Sequence, residues 1–334
     1  MQYRKLGNSD LEVSVLAFGS WQLGDPGYWG EDAQADAAAT VDVALDAGIN
    51  LFDTADSYGN GESERVLGKL LGARRDQVLI ASKMLPNPEL GPEQIRKACE
   101  ASLERLGTDR IDLYQIHWPI HHFTSEAAFE ALSKLRDEGK IRHIGLSNYG
   151  VRDLTDWMAV GDAVSNQMGY NLAFRAIEYQ IVPACKRFGL GILAYSPLLQ
   201  GILSGRWHSL ENIPEARRRT RHFSLRRSGT RHGESGCERM VTKTLMRLKR
   251  YAGKVDIPMS TLALGWVMAQ PGVSSVIIGA RNAAQLERNL APAHAETQIS
   301  PAAIAILNEI SVPLKRFLGT NADMWQGAGD SRVR

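Results

Sequence analysis

The 334-residue chain reads as an α/β protein whose eight parallel strands close into a (β/α)8 TIM barrel, with an N-terminal β-hairpin and a C-terminal covering loop. Three observations predict it. Short apolar runs alternate with helix-periodic stretches along most of the sequence. Several runs, among them QVLIAS and SSVIIG, are apolar almost throughout, as strands covered on both faces require. The strands number eight with helices between them, which favours a closed barrel over an open doubly wound sheet.

In chain order, the polar opening before residue 15 reads as a short hairpin closing the bottom of the barrel. Strands are predicted over 15–19, 50–54, 78–83, 111–117, 144–147, 163–167, 191–196 and 276–279. Helical spacing covers 33–47, 63–71, 92–106, 126–138, 151–160, 175–188 and 261–269. Gly48 and Gly107 follow helices where a left-handed cap is wanted, Gly91-Pro92 opens one, and Gly139 closes the next. A terminal helix is expected over 300–312, followed by an irregular tail.

Composition is that of a globular protein: 44% hydrophobic, 23% charged, with 31 Gly and 13 Pro, which excludes a fibrous or disordered chain. The whole chain, 1–334, is expected to form one domain, because α/β barrels hold this length as a unit. Net charge of +2 points to no particular partner. Cys99, Cys185 and Cys237 lack metal-ligand or disulfide spacing, so a reducing compartment is favoured. With no apolar leader and no run of ~18 apolar residues, a soluble, cytoplasmic protein is expected. The segment 217–231 departs from the pattern, with seven arginines and no acid. It reads as a solvated mobile loop or a phosphate-contacting lid; nucleic-acid binding lacks the aromatic residues and motif that would accompany it.

The chemistry of such a barrel sits at the carboxyl ends of its strands. Strand two ends at Asp53, with Tyr58 in the following loop; strand three ends at Lys83 and strand four at His117. A free phenol, with a pKa of ~10, is a poor acid near neutrality, and a neighbouring ammonium favours its anion. A carboxylate holds that ammonium charged, and an imidazole beside the phenol can orient a carbonyl oxygen. Together these groups polarise and protonate a carbonyl. No side chain supplies hydride, so a cofactor must. No G-x-G-x-x-G opens a βαβ unit, and Gly59-x-Gly61 reads as a turn. The cluster His117, His121 and His122 is not completed by other strand ends, so no metal is expected.

On these residues the chain resembles the aldo-keto reductase family. The matching stretches are Asn50 to Ala55 with Tyr58-Gly59, Ala81-Ser82-Lys83, Asp112 to His117, and Gly139 to Arg142 with Gly145 to Asn148. They continue through Asn166-Gln167, Ala194 to Leu198 and Ile278-Gly279-Ala280, in the family's order over residues 1–312. The bacterial branch and channel β-subunit-like members are the nearest in pattern. The resemblance implies a reversible NADPH-dependent reduction of aldehydes or ketones. It would make Tyr58 the general acid, Lys83 the group that lowers its pKa, Asp53 the partner of Lys83, and His117 the orienter of the carbonyl. Ser147, Asn148 and Gln167 would hold the carboxamide of NADP(H), with Tyr195 stacked on its ring. Ser196, Pro197, Leu198, Gly201, Ser204 and Arg206 would follow the pyrophosphate, and Gly279, Arg281, Gln285 and Asn289 would surround the adenosine 2′-phosphate.

Arg206 and Arg281 suit phosphate, which guanidinium binds bidentately. One position departs: Arg288 stands where such relatives usually carry Glu toward the adenine. Trp21, Trp29, Trp118 and Trp325 are candidates for the substrate pocket, and Asn321 and Asp323 in the tail 318–325 would help select a polar substrate. The partner implied is a small-molecule carbonyl or alcohol, with no role for nucleic acid or membrane. The same barrel also serves as a nucleotide-sensing subunit of membrane channels, which is the alternative reading.

Overall fold

The computed structural model describes residues 1–29, 35–207, 209–294 and 299–334. Strands β1 (Tyr3–Lys5) and β2 (Glu12–Ser14) pair antiparallel as the expected hairpin. The barrel follows as β3 (Leu16–Gly19), β4 (Leu51–Asp53), β5 (Leu79–Met84), β6 (Ile111–Ile116), β7 (Ile141–Ser147), β8 (Ser165–Gly169), β9 (Gly191–Tyr195) and β10 (Val273–Gly279). Each pairs in parallel with its neighbour, and β10 closes onto β3.

Side chains two residues apart on a strand share a face, and this period builds the site. Leu51, Ala81, Leu113, Leu193 and Ile277 pack with Leu6, Leu11 and Val13 in one buried cluster, so the hairpin and its turn plug the barrel floor. Two residues beyond Leu51, Ala81 and Leu113 stand Asp53, Lys83 and Gln115, one layer nearer the mouth.

The outer ring begins with α1 (Ala37–Asp46), α2 (Glu62–Leu71), α3 (Glu93–Leu106), α4 (Ser125–Asp137), α5 (Val151–Met158) and α6 (Ile177–Phe188). The predicted start of the first helix, at 33–34, lies outside the described residues. Gly107, at φ 62°, takes the left-handed position that ends α3.

The late chain holds more helix than its sequence suggested. An 18-residue helix, α7 (Glu238–Val255), buries Val241, Thr244, Leu248 and Ala252. The nearly wholly buried α8 (Met259–Met268) leads into β10. The eighth barrel helix, α9 (Ala283–Leu290), is N-capped by the Asn282 side chain accepting from Gln285 N–H. The last helix, α10 (Pro301–Leu318), was expected to stop at residue 312; burial of Leu314 and Leu318 carries it through Pro313.

The arginine-rich segment corrects the expectation of a solvated, mobile loop. Thr220, Arg221, His222 and Phe223 are buried. Arg221 donates to the carbonyls of Leu318 and Asn321 and pairs with Glu234. Arg227 bridges Glu211 and Glu238. These guanidinium groups fasten the segment to three other parts of the chain.

Candidate active site

Asp53 ends β4, Lys83 lies on β5, and both are almost fully buried. Lys83 Nζ donates to Asp53 Oδ1 at 2.7 Å, to the Thr54 carbonyl at 2.7 Å, and to Tyr58 Oη at 3.2 Å. All three ammonium protons are therefore used, and one points at the phenol. The other Asp53 oxygen accepts from the Gln167 amide at 2.7 Å. The loop carrying Tyr58 turns sharply at Gly59 (φ 58°) and Gly61 (φ 85°), and Gly61 caps α2. Gly59-x-Gly61 is thus a turn, as its context suggested.

The His117 ring meets the Tyr58 ring edge-on, with centroids 5.8 Å apart. Its Nδ1 lies 3.4 Å from Ser57 Oγ, and its backbone carbonyl accepts from Asn148 Nδ2 at 3.0 Å. Asn148 holds a left-handed backbone (φ 63°) and accepts from Tyr195 Oη at 2.9 Å. The Ser147 hydroxyl donates to the Gln167 carbonyl at 3.2 Å. Four strand ends are thereby tied into one hydrogen-bonded rim.

Electrostatics alter one expectation. Burial raises the Tyr58 phenol above its ordinary 10.0; Lys83 pulls it down, Asp53 pushes it up, and the net direction is upward. Lys83 therefore does not lower the resting pKa of Tyr58 below that of a free phenol, because desolvation outweighs the ammonium. Burial also works against the Lys83 charge, but Asp53 and Tyr58 outweigh it and hold that ammonium above 10.5. Burial, Lys83 and Arg332 all keep His117 neutral, well below 6.5.

A cavity of about 800 Å³ opens at this rim. Asp53, Tyr58 and His117 line it, and Lys83 reaches it through its bonds to the first two. All fourteen positions expected at the cofactor line the same cavity, from Ser147, Asn148 and Gln167 at one end to Arg281, Gln285 and Asn289 at the other. Trp21, Trp29, Trp118 and Trp325 line it too. Trp21 stacks on Tyr58 at 5.8 Å and meets Trp29 edge-on at 5.1 Å. The Arg332 guanidinium lies 3.4 Å above the Trp118 ring.

Asn321 and Asp323 are not brought to the cavity. Asp323 is fully buried, pairing with Arg332 and accepting from the Trp325 and Gln326 N–H groups. Asn321 bonds Gln326, Ser331 and the Asp323 N–H. Both staple the tail to itself, since short Asn and Asp side chains reach nearby backbone first. His121 pairs with Asp153 at 2.9 Å, away from His117.

Sequence reasoning missed Gln22, Gln200 and Trp207 on the cavity wall, and held Arg217, also there, only within the segment read as a solvated loop or a phosphate-contacting lid. Arg217 is 9% exposed, lies 5.0 Å over Trp29 and 5.7 Å over Trp207, and bonds the Gln200 carbonyl. Tyr28 Oη lies 3.0 Å from both Gln200 Oε1 and the Ala216 carbonyl, which share its one proton. The loops after β3 and β9 thus meet across the groove. Contacts of this kind join residues some 190 apart and leave no local signal; the run of arginines at 217–219 was the one available hint.

Residues 15–312 match the Aldo/keto reductase family model. The chain is 33% identical over 301 residues to the aldo-keto reductase YhdN of Bacillus subtilis, covering 86% of this chain and 87% of that one. It is 30% identical to the NADH-specific methylglyoxal reductase of Escherichia coli, covering 93% and 98%. A probable voltage-gated potassium channel subunit beta from rice is 30% identical, covering 87% and 90%. Among solved structures, the glycerol dehydrogenase of Gluconobacter oxydans superposes with a TM-score of 0.77 at 27% identity, covering 93% and 96%. The chain belongs to the aldo/keto reductase family. It is an oxidoreductase of the carbonyl–alcohol class, whose members use nicotinamide cofactors. No described helix is long and apolar enough to cross a membrane.

Proposed function

We propose that the protein reversibly reduces aldehydes or ketones to alcohols with NADPH, and that Tyr58 is the general acid. The observation carrying this reading is the buried Lys83 ammonium, held by Asp53 and donating to the Tyr58 oxygen at 3.2 Å. With its pKa raised, Tyr58 rests as the protonated phenol, the form an acid requires. As the proton leaves, negative charge grows on Oη, and Lys83 is already in place to stabilise it without reorganisation. Neutral His117 orients the carbonyl oxygen beside Tyr58. The tryptophans wall off water and form the substrate pocket.

The groove fits a dinucleotide carrying an additional phosphate. Arg206, Arg217, Arg281 and Arg288 line it, and none pairs with a carboxylate among the described residues. Gln22 Oε1 and Gln200 Nε2 are buried there without a hydrogen-bond partner among the described residues. Four uncompensated guanidinium groups favour a phosphorylated adenosine over a bare ribose. When bound, the reduced nicotinamide supplies hydride to the carbonyl carbon. Ser147, Asn148, Gln167 and Tyr195 would hold its ring, and the β9 loop with Arg206 its pyrophosphate. The E. coli relative is named NADH-specific, so the preference proposed here rests on this chain's own arginines.

Titrating the protein with NADPH and NADH by fluorescence quenching, then following nicotinamide absorbance with an aromatic aldehyde, tests the reading. At least tenfold tighter NADPH binding with steady turnover is expected. Equal affinities would overturn the NADPH assignment. NADPH binding with only slight turnover, across aldehydes of different size, would favour a nucleotide-sensing subunit. That second reading draws on the likeness to the plant protein named as a channel subunit.

A further inference from the structure

Away from the barrel mouth, α7 carries an arrangement the reaction does not use. Its inner face packs through Val241, Thr244, Leu248 and Ala252. Outside, Arg239, Lys243, Arg247, Arg250 and Lys254 recur at spacings of four, four, three and four residues, all exposed. That spacing keeps them on one side of the helix, in a stripe about 22 Å long at ~1.5 Å per residue. None of the five makes an ion pair among the described residues, whereas Arg218 and Arg227 of the preceding segment are each bonded to carboxylates. Like charges one turn apart repel, and among the described residues no carboxylate pairs with any of the five.

Beside the stripe, α7 and α10 enclose a cleft of about 820 Å³. Met240, Pro313 and Phe317 supply its apolar lining and Arg239, Lys243 and Arg247 its cationic lining; the one acid there, Glu238, is already bonded to Arg227 and the Ser224 N–H. Phe317 is 52% exposed, and Met246, among the cations, is 60% exposed. An apolar cleft next to an unpaired cationic row is complementary to a chain that is acidic on one side and apolar on the other.

We propose that this face docks an acidic amphipathic segment of a partner protein, its carboxylates along Arg239–Lys254 and its apolar side chains in the cleft at Met240 and Phe317. A phosphodiester chain would satisfy the stripe but leave the apolar lining in water. A bilayer would find only Met246 and Phe317 as exposed large apolar side chains on this face, too little to insert. The inference is independent of the reaction catalysed.

The probe is a fluorescein-labelled 14-residue peptide with Glu at four-residue spacing and two Leu on the adjoining face, followed by anisotropy. Micromolar binding is expected at low salt, falling steeply toward ~0.5 M salt as the exposed charges are screened. The double variant Lys243→Glu/Arg247→Glu should weaken it at least tenfold, and Phe317→Ser at least threefold. Both variants should keep the wild-type circular dichroism and melting midpoint, since the altered side chains are exposed. No binding by the wild type, or binding untouched by either variant, overturns the proposal. Tighter capture of oligouridylate, or of phosphatidylserine vesicles, in the same competition would replace it with a nucleic-acid or lipid surface. Self-association lost in the charge-reversed variant would make a second copy the occupant, and would equally overturn it.

Discussion

Replacing Lys83 with methionine removes the ammonium while keeping most of the side-chain volume. At 3.2 Å, a unit charge on Lys83 Nζ stabilises a full phenolate on Tyr58 by about 5 kcal/mol at an effective dielectric of ~20. Asp53, 2.7 Å from the same nitrogen, cancels part of that field. Asp53 is retained in the single variant, so the loss is that of the Lys83 charge itself, about 4 kcal/mol for a transition state carrying less than a full phenolate, and kcat falls roughly a thousandfold. Stability falls as well, because Asp53 stays buried with the Gln167 amide as its remaining close partner. Orphaning a buried charge costs about 3–5 kcal/mol. The double variant Lys83→Met/Asp53→Asn separates the two effects: it should regain most of the lost urea midpoint but only the part of the rate that the Asp53 charge had opposed. The assay is single-turnover nicotinamide absorbance in protein saturated with cofactor. Activity within tenfold of wild type in either variant would refute the reasoning.

Other outcomes follow from the same geometry. Because Tyr58 titrates above 10.0 and His117 below 6.5, kcat/KM for reduction should be flat between those pH values; a limb near neutrality would mean another group carries the proton. His222 is buried, and burial lowers its pKa to about 4, so the unfolded chain takes up that proton first. Its contribution is fully present above about 6.5 and is lost as pH falls toward 4, amounting to about 2 kcal/mol at pH 5. A His222→Gln variant should therefore show a smaller drop in urea midpoint from pH 8 to pH 5. Arg217→Ala removes one of four guanidinium groups in the groove and the cation stacked on Trp29. It should weaken NADPH at least tenfold and NADH less; equal losses would place Arg217 in loop closure alone.

Much of this architecture was legible in the residues. Parallel strands buried on both faces have to be apolar along their length, so runs such as QVLIAS announced themselves, and Asp53, Lys83 and His117 each ended one. Helix α7 was not assigned from the sequence: it lies between the arginine-rich segment and the helical spacing at 261–269, outside the strand–helix alternation that guided the reading. Arg217, Trp29 and Gln200 meet only because two loops cross the groove, and strand periodicity says nothing about that. Asn321 and Asp323 looked available for substrate, but they bond the tail's own backbone and Arg332 instead. The upward shift of Tyr58 depends on how completely its surroundings exclude water, a property of packing that spacing does not encode.

The most direct test of the central claim compares wild type with Tyr58→Phe, both shown by fluorescence quenching to bind NADPH. Loss of nicotinamide absorbance with an aromatic aldehyde is expected in the wild type and nearly absent in the variant, with cofactor affinity unchanged. Turnover in Tyr58→Phe within a few-fold of wild type would contradict the assignment of Tyr58 as the acid.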